Sequence, residues 1–351
     1  MSCTMDVVGL RKLSSTNAFV VTDLEGAPSF GIVRSAPKIL QGGAKDLARS
    51  MTYTFASFEM QRGGASGGVN AAPEERDEAL NNFVDEIHDD VSTGMLGLNA
   101  GKGILPSSFQ GLYEVDVRSP MRFESYGEDN LETYLTALGP VLCADRVVPL
   151  DGKTVAIEGF GEHGPAMIDL IEEKGGKVIS LSTLSGSVTE SSGFNASDIR
   201  QKWNESGIDF VKSSDGNGDP AWKVFQSGAD ILFTGSKMGA VNHLTAEKLE
   251  IAALVPHQPI PFTARALAIL QRKNTIVVPD FIAVSAPIFA SWPGESTDSS
   301  QIIQFAEDQV GTVLDEVSKH DEGLFLGACY HAESFLGTWR ESPLFGRPLA
   351  S

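Results

Sequence analysis

Cysteine, positive charge and long apolar runs are all scarce in this 351-residue sequence. The three cysteines, Cys3, Cys143 and Cys329, lie far apart without metal-ligand spacing. They argue against a disulfide framework and fit a reducing cytoplasm. Lysine and arginine number 27 against 46 aspartates and glutamates, for a net charge of −19. That balance speaks against nucleic-acid and anionic-membrane partners, because both need a basic footprint. No apolar run approaches membrane-spanning length, and the first residues lack a charged-then-apolar export pattern. A cytoplasmic protein is expected. His, Cys and Asp do not cluster at metal-binding intervals, so no metal is expected either.

What is present is ordinary globular material, 42% hydrophobic and 21% charged. The length suffices for two domains, each with its own core.

The chain is organised around residues 154–166. An apolar strand, 154–158, turns on Gly159, Gly161 and Gly164 into a helix over 166–174, and a second apolar strand follows at 177–181. In this order the first glycine permits the tight turn, the second lets backbone approach a pyrophosphate, and the third lets helix pack on strand. Backbone N–H groups at the helix N-terminus then face the phosphates. Gly159, Phe160, Gly161, Glu162, His163 and Gly164 are therefore the expected cofactor-binding turn, for NAD or NADP. The acidic residue that holds the adenosine ribose belongs at the end of the second strand, where Ser182 and Thr183 stand. With no arginine nearby to grip a 2′-phosphate, the choice between NAD and NADP stays open.

Along the rest of the chain, short strands are expected at 18–21 and 30–33. Helices are expected at 44–60, 73–91 and 128–147, with glycine-rich loops at 62–69 and 94–107, the first ending in a strand. The nucleotide region carries polar loops at 185–198 and 213–220, a strand at 229–233, helices at 245–254 and 263–273, and a strand at 275–279. Beyond 298 a long helix places Ile302, Ile303, Ala306, Val310, Val313, Leu314 and Val317 on one face. Alternating strands and helices predict an α/β protein with a doubly wound parallel sheet. Two domains around a cleft are expected. Residues 1–135, completed by 290–351, form a substrate and oligomerisation domain, and 150–285 a Rossmann NAD(P)-binding domain.

Leu47-Ala48-Arg49-Ser50-Met51-Thr52-Tyr53-Thr54 followed by Gly63-Gly64-Ala65-Ser66-Gly67-Gly68 resembles the glutamate/leucine/phenylalanine/valine dehydrogenase family. In that family an MTYK-like helix precedes a GGGK or GGAKGG loop. Residues 152–161 and the Val277-Val278-Pro279-Asp280-Phe281-Ile282-Ala283 run are similar to further family signatures. The segment from Ser119 to Tyr134 is similar to the stretch in which a family threonine, here Thr133, contacts the nicotinamide. The resemblance implies a homo-oligomer that interconverts 2-oxo acid, ammonia and NAD(P)H with an L-amino acid. It also implies one lysine for the substrate carboxylate, a second for acid–base work and an aspartate in a proton relay.

This sequence departs from all three. Thr54 stands at the first lysine and Ser66 at the second; the aspartate falls near Met95 or Leu96, and none lies between Asp90 and Asp116. The family's ANAGG run is altered to Ala283-Val284-Ser285-Ala286-Pro287. Losing one positioned acid–base group costs roughly 10²–10⁴ in rate, so the usual mechanism is not expected.

Arg62, beside Gly63 and Gly64, is a candidate carboxylate grip. Ser66 and Thr54 are candidate hydrogen-bonding partners for a small-molecule substrate, and Lys237, after the 229–233 strand, is a candidate acid alongside Ser66. His163 is expected as a solvated turn residue, with phosphate contact or base chemistry as the alternatives, and His257 is a further candidate. Two functions follow: an NAD(P)-dependent oxidoreductase with an altered substrate site, or a catalytically silent relative that binds a metabolite, regulates or scaffolds.

Overall fold

In the computed structural model residues 9–212, 218–341 and 346–350 are described; Cys3 and most of the expected 213–220 loop lie outside them. The chain divides into two compact units, residues up to 118 with 329–349, and residues 119–328 with Ala350.

The first unit is a five-stranded sheet with helices. Its strands are β1 (Gly9–Lys12), β2 (Ala18–Thr22), β3 (Ser29–Ala36), β4 (Gly63–Asn70) and β5 (Leu96–Ala100), ordered β1-β2-β4-β3-β5. The β3–β4 and β3–β5 pairs are parallel, and β2 runs antiparallel to β1 and β4. Helix α1 (Gln41–Ser57) and helix α2 (Arg76–Ser92) precede and follow β4. The expected glycine loop at 62–69 is thus a whole interior strand, and the expected loop at 94–107 contains β5. Glycine makes β4 workable there, because backbone must approach backbone. A Cβ on Gly64 would lie 1.8 Å from the Ala48 carbonyl oxygen of α1, and one on Gly31 would lie 1.7 Å from that of Ala65. Neither obstacle is a side chain that can swing aside. Gly64→Ala is therefore expected to destabilise by about 3 kcal/mol, at the upper end of overpacking costs. Urea unfolding measures it, and an unchanged midpoint would refute so close an approach.

The core of this unit joins Val33, Val69, Phe83, Ile87, Leu98 and Phe109. A buried ion pair, Arg49 Nε to Asp23 at 2.8 Å, fixes α1 against the turn after β2.

The second unit begins with a small ribbon, β6 (Ser125–Tyr126) and β7 (Asp129–Asn130). Its main sheet has six strands: β8 (Thr154–Glu158), β9 (Lys177–Thr183), β10 (Gly186–Thr189), β11 (Ile231–Thr234), β12 (Ala253–Pro256) and β13 (Ile276–Val277). The order is β10-β9-β8-β11-β12-β13, parallel throughout except for β10. The doubly wound sheet expected from the sequence is therefore present. Two local expectations fail: the 185–198 loop holds β10, and the 245–254 helix is a short helix, His243–Lys248, followed by β12. The long helix Ser299–Val317 buries all seven residues assigned to its inner face. No helix among the described residues is long and apolar enough to cross a membrane.

Candidate functional site

Strands β8 and β11 are neighbours whose chain connections leave in opposite directions across the sheet, so their C-terminal ends form the switch point where open α/β sheets bind ligands. Glu158, the last residue of β8, closes that point. One oxygen of its buried carboxylate accepts from Thr234 Oγ1 at 2.8 Å and from the backbone N–H groups of Gly235 and Ser236 at 3.1 and 3.2 Å. Nothing local in the sequence marks this residue, because its partners lie more than 70 positions away.

Gly159 follows at φ +88°, a backbone conformation that favours glycine. A Cβ there would sit 2.4 Å from the Ser236 nitrogen. Its N–H and that of Phe160 reach the Ser182 carbonyl at 3.2 and 2.7 Å, and Ser182 Oγ also accepts from Gly159. Gly164 opens the helix Gly164–Glu173, and its missing Cβ makes room for the Phe160 ring. Gly161 differs: a Cβ would meet nothing nearer than the Gly159 carbonyl at 3.9 Å. The two outer glycines are fixed by packing, and the middle one borders open space. That is the arrangement a pyrophosphate needs, so the turn fits a dinucleotide.

His163 is not solvated. It is buried, and its Nε2 lies 2.9 Å from Nδ1 of His257, whose Nε2 lies 2.8 Å from the Glu158 carbonyl oxygen. A carbonyl only accepts, so His257 Nε2 carries the proton and its Nδ1 accepts from His163 Nε2–H. Two neutral imidazoles thus run from the turn to the end of β12. Burial, helped by the His257 neighbour, pushes His163 down to about 3, and burial lowers His257 as well. A Cβ on Gly235 would meet the His257 ring at 2.6 Å, which explains that glycine. The sequence signal for the pair was two histidines, each beside a strand end, 94 positions apart.

Glu162 is exposed, and so is Lys237 beyond β11. Thr133 lies half-buried in the first turn of the helix Leu131–Val147, where its N–H is capped by Asn130. Thr183 donates from its hydroxyl to the Ile208 carbonyl at 2.6 Å.

The other candidates belong to the first unit. Thr52 Oγ1 accepts from the Gly64 N–H at 2.9 Å and ties α1 to β4. Thr54 is buried and its hydroxyl is turned back on the Ser50 carbonyl. Ser66 lies two residues beyond Gly64, on the same face of β4. It is fully buried, and its hydroxyl has no hydrogen-bond partner among the described residues. Gly63 donates to the Pro28 carbonyl, and Arg62 is half-buried, with burial lowering its pKa. Met95 is exposed and Leu96 opens β5.

A family profile described as Glutamate/Leucine/Phenylalanine/Valine dehydrogenase matches residues 130–326, more than half of the chain. The glutamate dehydrogenase of Thermotoga maritima is 26% identical over 315 residues, 83% of this chain and 74% of that protein. The NADP-specific glutamate dehydrogenase of Saccharolobus shibatae is 22% identical over 319 residues, 85% and 75% of the two chains. Among solved structures, the hetero-hexameric glutamate dehydrogenase of Thermus thermophilus in its Leu-bound form shares the fold. Its TM-score is 0.78 at 21% identity, covering 94% of this chain and 86% of that one.

Proposed function

This chain belongs to the glutamate/leucine/phenylalanine/valine dehydrogenase family, and we propose that it is an NAD(P)-dependent oxidoreductase with a rebuilt substrate site, acting on an amino-acid-derived amine, imine or keto compound. The observation that carries this reading is the glycine turn, closed at Gly159 and Gly164 and open at Gly161. The relatives support it, since the Thermotoga and Saccharolobus proteins are glutamate dehydrogenases and the second is NADP-specific.

A bound nicotinamide dinucleotide supplies the hydride acceptor or donor. The N–H groups from Gly161 to His163, at the N-terminus of the following helix, would hold the pyrophosphate. Glu158, Ser182 and the His163–His257 pair keep the turn in shape, and Thr133 orients the nicotinamide end. Arg62 grips a substrate carboxylate beside Gly63 and Gly64, and Lys237 serves as an acid. The protein works in the cytoplasm as a homo-oligomer; the Thermus neighbour is an oligomer of another kind, a hetero-hexamer.

A second reading, a catalytically silent relative with a metabolite-binding, regulatory or scaffold role, draws on Thr54 and Ser66. At the positions where the family resemblance calls for lysines, these short side chains are almost entirely shielded from solvent. Titration with NADH and NADPH, followed by fluorescence, separates the two. Micromolar binding of either, with turnover of an amine or keto substrate, is the expected result. A folded protein that binds neither would overturn the oxidoreductase reading.

A further inference from the structure

Ser182 and Thr183 occupy the place from which a dinucleotide fold usually presents a carboxylate to the adenosine ribose. Both hydroxyls are already engaged. Ser182 Oγ accepts from Gly159, and Thr183 Oγ1 accepts from the Ser185 N–H while donating to the Ile208 carbonyl. The segment that Thr183 holds is a 3₁₀ turn, Gly207–Val211, drawn against the hairpin between β9 and β10. Phe210 in this turn packs edge-on against Phe160 of the glycine turn, with ring centroids 5.4 Å apart, and Trp203 joins them at 5.6 Å from Phe160. The 3₁₀ turn is thereby clamped to the phosphate turn on one side and to the end of β9 on the other.

That clamp presents one acid. Asp209 accepts from Ser185 Oγ at the hairpin tip and pairs with Lys212 Nζ at 2.8 Å. The Lys212 ammonium and the Ser185 hydroxyl hold its carboxyl below the ordinary aspartate range. Its side chain remains half exposed. On either side of it in the two joined segments stand large apolar residues open to solvent, Leu184 at 71% exposure and Ile208 at 43%. A half-exposed carboxylate with exposed apolar residues next to it in the two joined segments, beyond the end of the second strand of a dinucleotide fold, matches an adenosine with its ribose hydroxyls.

We propose that Asp209 reads the adenosine ribose and makes this protein select NAD over NADP, with Leu184 and Ile208 flanking the adenine; this rests on the oxidoreductase reading above. The carboxylate accepts from the 2′-hydroxyl of NAD and repels a 2′-phosphate. Lys212 moderates that repulsion by neutralising part of the charge. The acid is thus delivered by a separate turn rather than by the strand end itself, which is why position 183 can be a threonine.

The test is equilibrium binding of NADH and NADPH to the full-length protein and to Asp209→Asn and Lys212→Ala, with thermal melts confirming that each variant is folded. Wild type is expected to prefer NADH by about tenfold or more, the size of one charge-assisted contact near a surface. Asp209→Asn brings the ratio towards one, chiefly by tightening NADPH. Lys212→Ala moves the ratio the other way, further towards NADH. An NADPH-preferring wild type, a ratio unmoved by Asp209→Asn, or a ratio that Lys212→Ala leaves unchanged or moves towards NADPH would each overturn the assignment while leaving the oxidoreductase reading intact. Binding of neither dinucleotide would overturn that reading and the assignment with it.

Discussion

Gly161→Asp is expected to leave the thermal midpoint within a few degrees of wild type while weakening NADH and NADPH binding at least about a hundredfold. The position allows both outcomes. A Cβ there meets no atom nearer than 3.9 Å, and its backbone is not left-handed, so the fold tolerates a side chain. The new carboxylate, however, enters the space in which the turn's N–H groups meet phosphate, bringing like charge and bulk together. The neighbouring glycines cannot serve for this test. Substituting Gly159 or Gly164 drives a Cβ to 2.4 Å from Ser236 or 2.7 Å from Phe160, so lost binding would report damaged folding. Calorimetric titration beside a melt decides the matter. Retained affinity in a folded Gly161→Asp protein would remove the pyrophosphate from this turn.

The second large effect is expected on acidification. His163 and His257 are both buried and neutral, with pKa values lowered by burial, whereas in the unfolded chain each titrates near 6.5. Below that value the unfolded state binds protons that the folded pair refuses. The stability is therefore full above pH 6.5 and is lost as the pH falls towards the folded value of about 3 for His163. Between pH 7.5 and 5.0 the loss amounts to roughly 2 kcal/mol for His163, at about 1.4 kcal/mol per unit, and His257 adds a loss of the same sign. Urea unfolding across this window measures it ahead of most carboxylate titration. A flat unfolding free energy would show that the imidazoles accept protons in the folded state, and the relay from His163 to the Glu158 carbonyl would have to be abandoned.

The glycine turn was legible because strand, turn and helix are all local: β8, the helix after Gly164 and β9 follow from period and glycine spacing alone. The long C-terminal helix was legible for the same reason. β4 was not, since four of its eight residues are glycine and offer no alternating side chains to read. β5 hid similarly, its five residues holding a glycine that packs against Phe30. β12 was absorbed into an apparent helix because Ala253–Pro256 continues the apolar pattern of the short helix before it. At the candidate site, the turn was visible but its supports were not. Glu158 gains meaning from residues 234–236, His163 from residue 257, and Thr183 from residue 208, and no local pattern announces such partners.

The link between Thr52 and Gly64 has a consequence for how the first unit opens. A strand amide is bonded there to a side chain of α1, on a glycine that lets the helix backbone lie directly on the strand. Helix and strand thus share a hydrogen bond that neither can keep alone, and exposing one exposes the other. In hydrogen exchange the amides of α1 and β4 belong to a single opening unit. The segment carrying Thr54 and the segment carrying Ser66 therefore become accessible together or not at all.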